Sequence, residues 1–137
     1  EGDGVELRCS NSNPRIEFTK RCDKPLELFA FQGEWTTHCT LLRGPIKDLS
    51  VLTRRGKYGA RIDILTLSET TAIEKPATDD CIVLIVEGTA KVLAQGRAES
   101  LGRFDAIVGE RGAYASYSLS RDGLAESRVA VIRLSPV

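Results

Sequence analysis

Apolar residues fall on every second position, or run unbroken for a few residues, along the whole chain. VELRC (5–9), RIEF (15–18), LELFAF (26–31), HCTLL (38–42), DLSVLTR (48–54) and ARIDILTL (60–67) read as strands in its first half. CIVLIVEG (81–88), KVLA (91–94), FDAIV (104–108), YASYSL (114–119) and RVAVIRL (128–134) read as strands in its second. Glycine, proline, aspartate and asparagine break the pattern at short intervals. No stretch has the 3.6-residue period of an amphipathic helix. Residues 68–80 leave room for a short helical turn, but Pro76 and Asp79-Asp80 favour a loop. Many short strands with regular turn signals predict an all-β sandwich or barrel.

The pattern repeats itself weakly. EGDGVEL (1–7) is echoed by EGTAKVL (87–93), and AFQGE (30–34) by AIVGE (106–110), in the same order. The spacing differs between the copies, which an insertion near SNSNPRIEF explains. A shared order of echoes points to a duplicated β-unit. The chain begins at Glu1 and holds no methionine. It is therefore read as entering partway through the first copy, with an N-terminal segment of the same protein as a missing partner.

Composition narrows the functional classes. Lys plus Arg and Asp plus Glu are both 19, so the formal net charge is zero. General nucleic-acid binding needs a cationic excess that this chain lacks. No apolar run reaches the ~20 residues of a membrane span, so no membrane partner is expected. The four cysteines form no C-x-x-C pair, which argues against a zinc site or redox dithiol and for reduced thiols in a cytoplasmic protein. A disulfide between two of them stays open.

VLIVEGTAKVLAQGRAESLGRFDAIVGERGAYASYSL resembles a cupin half-barrel, with a Glu-Gly strand end, a hairpin partner and a Gly-x-x-Asp turn at Gly102–Asp105. Metal cupins carry several histidines on these stretches. This chain has one histidine, His38. A metal site needs three or four converging ligands, so neither a metal nor another cofactor is expected. His38 is left as a strand residue or as a hydrogen-bonding group in a pocket.

FQGEWTTHCTLLRGPIKDLSVLTRRGK (31–57) is more specific. It resembles the HutD/Ves family, with Phe31, Gly33, Gly44, Pro45, Asp48, Arg54 and Arg55 at matching positions. Ser50 stands where the family has asparagine and Leu52 where it has methionine, so any ligand contact there must differ. The resemblance covers the chain as the C-terminal two-thirds of a member. It implies a metal-independent double-stranded β-helix with two cupin-like halves in one chain (a bicupin), the first incomplete here. Residues 1–57 are then the rest of the first half with a linking strand, and 58–137 the second half, in one compact unit. It further implies a bacterial role in histidine utilisation, binding an intermediate such as formylglutamate, and carries no established reaction.

On an extended strand, Asp48, Ser50 and Arg54 share a face. That face is a pocket wall, a solvated surface or the site of a structural ion pair. As a pocket wall it suits a small carboxylate, because a guanidinium offers two parallel charge-assisted hydrogen bonds. The repeat places His38 and Tyr114 at equivalent positions, which adds both to the candidate ligand-binding set. Tyr114 and Tyr117 face opposite ways, so one of them is expected to be buried. The leading functional reading is a small-molecule binding protein with a regulatory or sensing role, possible as a homodimer. The alternative is a metal-free cupin enzyme, an isomerase or lyase acting on a small polar metabolite. No catalytic residue is assigned, because no nucleophile is paired with a base. An interaction protein is the third class.

Overall fold

The computed structural model describes residues 2–12, 15–67 and 70–137. Glu1 of the first echo, Asn13 and Pro14 of the inferred insertion, and Ser68 and Glu69 at the start of the expected loop lie outside the described residues. The chain divides into two compact units, Glu1–Leu52 and Thr53–Val137.

The first unit is one antiparallel sheet of β1 (Val5–Ser12), β2 (Arg15–Cys22) and β3 (Thr36–Leu41), in the order β2-β1-β3. Its register puts Cys9 opposite Phe18 and Thr37, and Arg8 opposite Thr19 and His38. Directly paired residues share a face, so Cys9 and Phe18 lie on one side and Arg8 and His38 on the other. The LELFAF run is no strand. Lys24-Pro25-Leu26-Glu27 is a turn closed by the Glu27 amide on the Lys24 carbonyl at 3.2 Å, with Leu26 at a φ of 59°. Proline at the second turn position and positive φ at the third define a type II turn, which ends any ladder. The segment then lays its aromatic rings over the Cys9 face. Phe18 meets Phe29 and Trp35 edge-on at 6.1 and 5.5 Å, and Phe31 stacks on Phe29 at 5.7 Å. Lys20 and Glu27 clamp the same segment at 2.5 Å.

The second unit is a sandwich. One sheet has the order β4-β11-β6-β9, from β4 (Tyr58–Leu67), β11 (Ser127–Pro136), β6 (Asp80–Glu87) and β9 (Ala106–Gly109). The other has the order β5-β10-β7-β8, from β5 (Thr71–Lys75), β10 (Ala115–Arg121), β7 (Ala90–Ala94) and β8 (Arg97–Leu101). The chain changes sheet at every connection except the β7–β8 hairpin, which is the winding of a double-stranded β-helix. Val83, Ile85, Val129 and Val131 of one sheet pack against Ile73 and Leu119 of the other, all at 2% exposure or less. Each such side chain contributes about 1.5–3 kcal/mol relative to an exposed position.

Two strands lie where none was expected. β5 sits inside the stretch read as a loop because Thr71–Lys75 sends Ile73 and Lys75 inward on alternate positions. β8 is short, charged and at an edge, so it carries little apolar signal. Conversely, residues 48–54 form no strand. Ser50 Oγ donates to Asp48 Oδ2 at 3.1 Å, and neither residue enters a ladder. Such local side-chain bonding competes with strand pairing.

The Glu-Gly turn after β6 has a steric basis. Gly88 has a φ of 72°, and a Cβ there would stand 2.4 Å from Ser127 Oγ and 2.6 Å from the Glu126 carbonyl. Ser127 is 1% exposed, accepts from the Thr89 amide at 3.2 Å and donates to the Thr89 carbonyl at 2.7 Å. Gly96 has a similar φ of 75° but open space around it. Gly96→Ala is therefore expected to cost about 1 kcal/mol for left-handed backbone alone. Gly88→Ala adds an overpacked contact and is expected to cost roughly 3 kcal/mol or more. Urea unfolding of both variants checks this; equal losses would show that the approach to Ser127 carries no weight.

Candidate functional site

Several inward positions at one end of the sandwich are polar. Cys81 is the first inward residue of β6, and the ladder pairs it with Arg133 of β11 and Gly109 of β9. Arg133 is paired in turn with Arg61 of β4. These four form one row across the sheet, and Asp63 is the next inward residue on β4. Lys75 and Tyr117 come from the opposite sheet. Gly109 is the gap that lets the sheets close here: a Cβ at that position would lie 2.1 Å from the Tyr117 hydroxyl and 2.7 Å from Lys75 Cδ.

Burial grades across this row. Lys75, Cys81 and Tyr117 are 1%, 0% and 6% exposed. The Lys75 ammonium donates to the Ala113 carbonyl at 2.7 Å and the Pro76 carbonyl at 3.2 Å, which ties the β5–β6 turn to the approach of β10. Burial raises the Cys81 thiol, with Arg133 and Lys75 pulling it back and Asp79 adding to the rise. Burial also raises the Tyr117 phenol. At the rim, Asp63 lies between two guanidiniums. Arg133 reaches its Oδ2 at 3.1 Å, and Arg61 reaches its Oδ1 at 3.0 Å. Arg133 and Asp63 are about one-quarter exposed, and Arg61 is 75% exposed. Two arginines sharing one carboxylate leave a net positive charge and spare N–H donors, an arrangement that accepts an anion.

The residues singled out from the sequence sit elsewhere. Asp48 and Ser50 are exposed and bonded to each other. Arg54 is exposed, and its carbonyl accepts from the Lys57 and Tyr58 amides at 3.0 and 3.1 Å. His38 is exposed on the polar side of β3, opposite Arg8. Tyr114 is 64% exposed and donates to Glu74, which also accepts from Ser116 at 3.0 Å on the outer face of β5 and β10. Tyr117 is the buried tyrosine of the pair. The sequence reading passed over Arg61, Asp63 and Arg133 because each stands in a run read only for its alternation, and Lys75 because it stands in the stretch read as a loop. A signal was available: a charge in phase with the inward positions of a core strand.

Among the described residues, no group of three or more His, Cys, Asp or Glu side chains is placed to hold a metal ion. Among the same described residues, no helix is long and apolar enough to cross a membrane. All four cysteines are free thiols, with Cys9 and Cys81 buried and Cys39 exposed.

The winding of the Thr53–Val137 unit is that of the cupin class, and solved structures agree. The chain is similar to the Cnp3 cupin domain of Schizosaccharomyces pombe, with 12% identity, a TM-score of 0.52, and coverage of 98% of this chain and 89% of that one. It is more similar to a conserved protein of unknown function from Pseudomonas aeruginosa PAO1 (19% identity, TM-score 0.73) and to HutD from Pseudomonas fluorescens SBW25 (23%, 0.74). Both matches cover 100% of this chain, which spans 68% and 65% of those two proteins. The HutD family model matches residues 1–126, so the chain belongs to the HutD family. No curated protein matches it.

The Cys81 environment sets a pH dependence. Its thiol pKa is higher in the folded state than its ordinary value of 9.0. The unfolded chain then loses this proton first, the native state binds more protons, and stability falls as pH rises through the unfolded value. Cys81→Ala is expected to flatten the loss of unfolding free energy between about pH 8.5 and 10. Urea titrations of both proteins across that range check it; parallel slopes would show that the thiol is not the linked group.

Proposed function

We propose that the protein is a metal-independent HutD-type bicupin that binds a small carboxylate metabolite and acts by sensing or buffering it in the bacterial cytoplasm. The observation that carries this reading is the Arg61–Asp63–Arg133 rim at the end of the Thr53–Val137 sandwich. A carboxylate can take the guanidinium donors that Asp63 does not use, in bidentate geometry. Family membership favours an intermediate of histidine degradation, such as formylglutamate, as the ligand. The repeated connectivity supports the two-half description. The orders β2-β1-β3 and β8-β7-β10 have the same form, each with a hairpin and a later strand on the other side. A glycine with positive φ precedes both, Gly2 at 111° and Gly88 at 72°. Asp48, Ser50, Arg54, His38 and Tyr114 remain the second set of candidate ligand contacts. A homodimer is part of the same proposal. The enzyme reading is less well supported, because Cys81 and Tyr117, whose pKa values burial raises, are sealed inside the sandwich.

The test is a thermal-shift titration with urocanate, formiminoglutamate, formylglutamate and glutamate. It compares the wild type with Arg133→Lys, Arg133→Ala and Arg54→Ala. A ligand at ~100 times its Kd adds about 2.7 kcal/mol, which moves Tm by several degrees. The expected result is a shift with one acid that is lost in Arg133→Ala, reduced in Arg133→Lys and kept in Arg54→Ala. Loss in Arg54→Ala alone moves the site to the 48–54 segment. No shift with any acid rejects the carboxylate reading, and turnover of the bound acid favours an isomerase or lyase.

A further inference from the structure

We infer that the β2-β1-β3 sheet carries a second ligand site, a cleft on its polar face that binds a basic amino acid. β1 runs on to Ser12, but its ladder with β3 stops at Ser10 and Thr36. The chain reaches β3 through a turn closed by the Trp35 amide on the Gln32 carbonyl at 3.0 Å, and the Trp35 ring packs on Phe18 at the opposite face. A cleft of about 580 Å³ lies beside the last residues of β1. That volume is within the range of about 300–1,000 Å³ found for small-molecule sites. Its lining belongs to the Glu1–Leu52 unit, so the cleft is separate from the Arg61–Asp63–Arg133 rim and does not rest on the carboxylate reading.

The register arranges the groups of the cleft. Glu17, Ser10 and Thr36 form one row across the three strands, and Arg15 and Ser12 form the next. Residues directly paired or two apart share a face, so these five stand on the side of Arg8 and His38, away from the aromatic rings. Glu34 joins the lining from the turn before β3. Rows on one face are about 7 Å apart, and β2 and β3 are about 10 Å apart across β1. Arg15 and Glu17 are exposed, and among the described residues they form no ion pair with each other. A guanidinium gives a carboxylate two parallel charge-assisted hydrogen bonds, and a glutamate accepts from an ammonium. The hydroxyls of Ser10, Ser12 and Thr36 can donate or accept between them. The complement of one guanidinium and two carboxylates is a ligand with one carboxylate and two cationic groups. A basic amino acid has that set: its carboxylate meets Arg15, and its α-ammonium and side-chain cation meet Glu17 and Glu34. A neutral amino acid leaves one glutamate unmatched, and a diamine leaves Arg15 unmatched.

The experiment is an amide NMR titration of the whole, isotope-labelled chain with L-lysine. Norleucine, which lacks the side-chain ammonium, and cadaverine, which lacks the carboxylate, are titrated into the same protein. Arg15→Gln and Glu17→Gln are each titrated with L-lysine. The expected result is saturable movement of the Ser10, Ser12, Glu17 and Thr36 amides with L-lysine. Either analogue, and either variant, is expected to raise the Kd about tenfold or more, the size of one lost charge-assisted contact. Both substitutions fall at exposed positions, and the dispersion of the amide spectrum reports whether each variant folds. If one does not, the two analogues carry the test on the wild type. No saturable movement with L-lysine overturns the inference. Cadaverine binding as tightly as L-lysine also overturns it, because the cleft would then be an acidic surface that collects any cation. An Arg15→Gln chain with unchanged affinity does the same.

Discussion

The Thr53–Val137 unit depends on one apolar layer shared by two four-stranded sheets, and that layer has to be closed at both ends. Val83, Ile85, Val129 and Val131 fill its middle from one side, and Ile73 and Leu119 from the other. At the end where β6 finishes, closure is neutral. Gly88 brings the turn against Ser127, and one hydroxyl satisfies both the amide and the carbonyl of Thr89. At the end where β6 begins, closure is ionic. Gly109 yields space to Tyr117 and Lys75, and the Lys75 ammonium is held by two backbone carbonyls rather than by a carboxylate. Removing that ammonium would take the side-chain donor from both carbonyls and untie the β5–β6 turn from the approach of β10. Both glycines mark a close approach: a side chain at Gly109 would hold the two sheets apart, and one at Gly88 would push the turn off the start of β11.

The Glu1–Leu52 unit solves a similar problem with less sheet. Three strands cannot bury both of their faces. The Cys9 face is covered instead by rings from the irregular segment after β2, where Phe29 and Trp35 close on Phe18. Edge-to-face geometry contributes beyond the area buried. The opposite face keeps Arg8 and His38 in solvent. His38, which the sequence leaves as a strand residue or a hydrogen-bonding group in a pocket, is by register a residue of the polar face.

The all-β class, the Glu-Gly turn and the family pattern were readable in the chain because each rests on local spacing. β6 and β11 were plain as nearly unbroken apolar runs. DLSVLTR was misread because alternation alone does not distinguish a paired strand from an exposed irregular segment. Pairing needs a partner, and a partner is a property of the whole chain. LELFAF failed for a second reason, since its apolar residues serve packing from a turn rather than from a ladder. β5 was hidden by the reverse effect: Lys75 disguises an inward position as a surface one. The polar end of the sandwich shared that disguise, because Arg61, Lys75 and Arg133 meet only after β4, β5 and β11 are brought together from distant parts of the sequence.

The charges at that end are difficult to explain by stability alone. Arg133 follows Val129 and Val131 in phase on β11, and a branched apolar residue would continue the layer at its place. A partly buried ion pair loses hydration and regains little of it, and an apolar replacement of similar volume is often neutral or stabilising. Two guanidiniums around one carboxylate are also unbalanced in charge, which a purely structural pair has no need to be. The same surplus is what an anionic ligand requires, and the grading from sealed Lys75 to exposed Arg61 leaves its donors on the side that solvent reaches. Stability accounts for the interior of this row, where the Lys75 ammonium already has two carbonyl acceptors. At the rim, the anion that the unbalanced charge calls for is the one the proposed carboxylate ligand would supply.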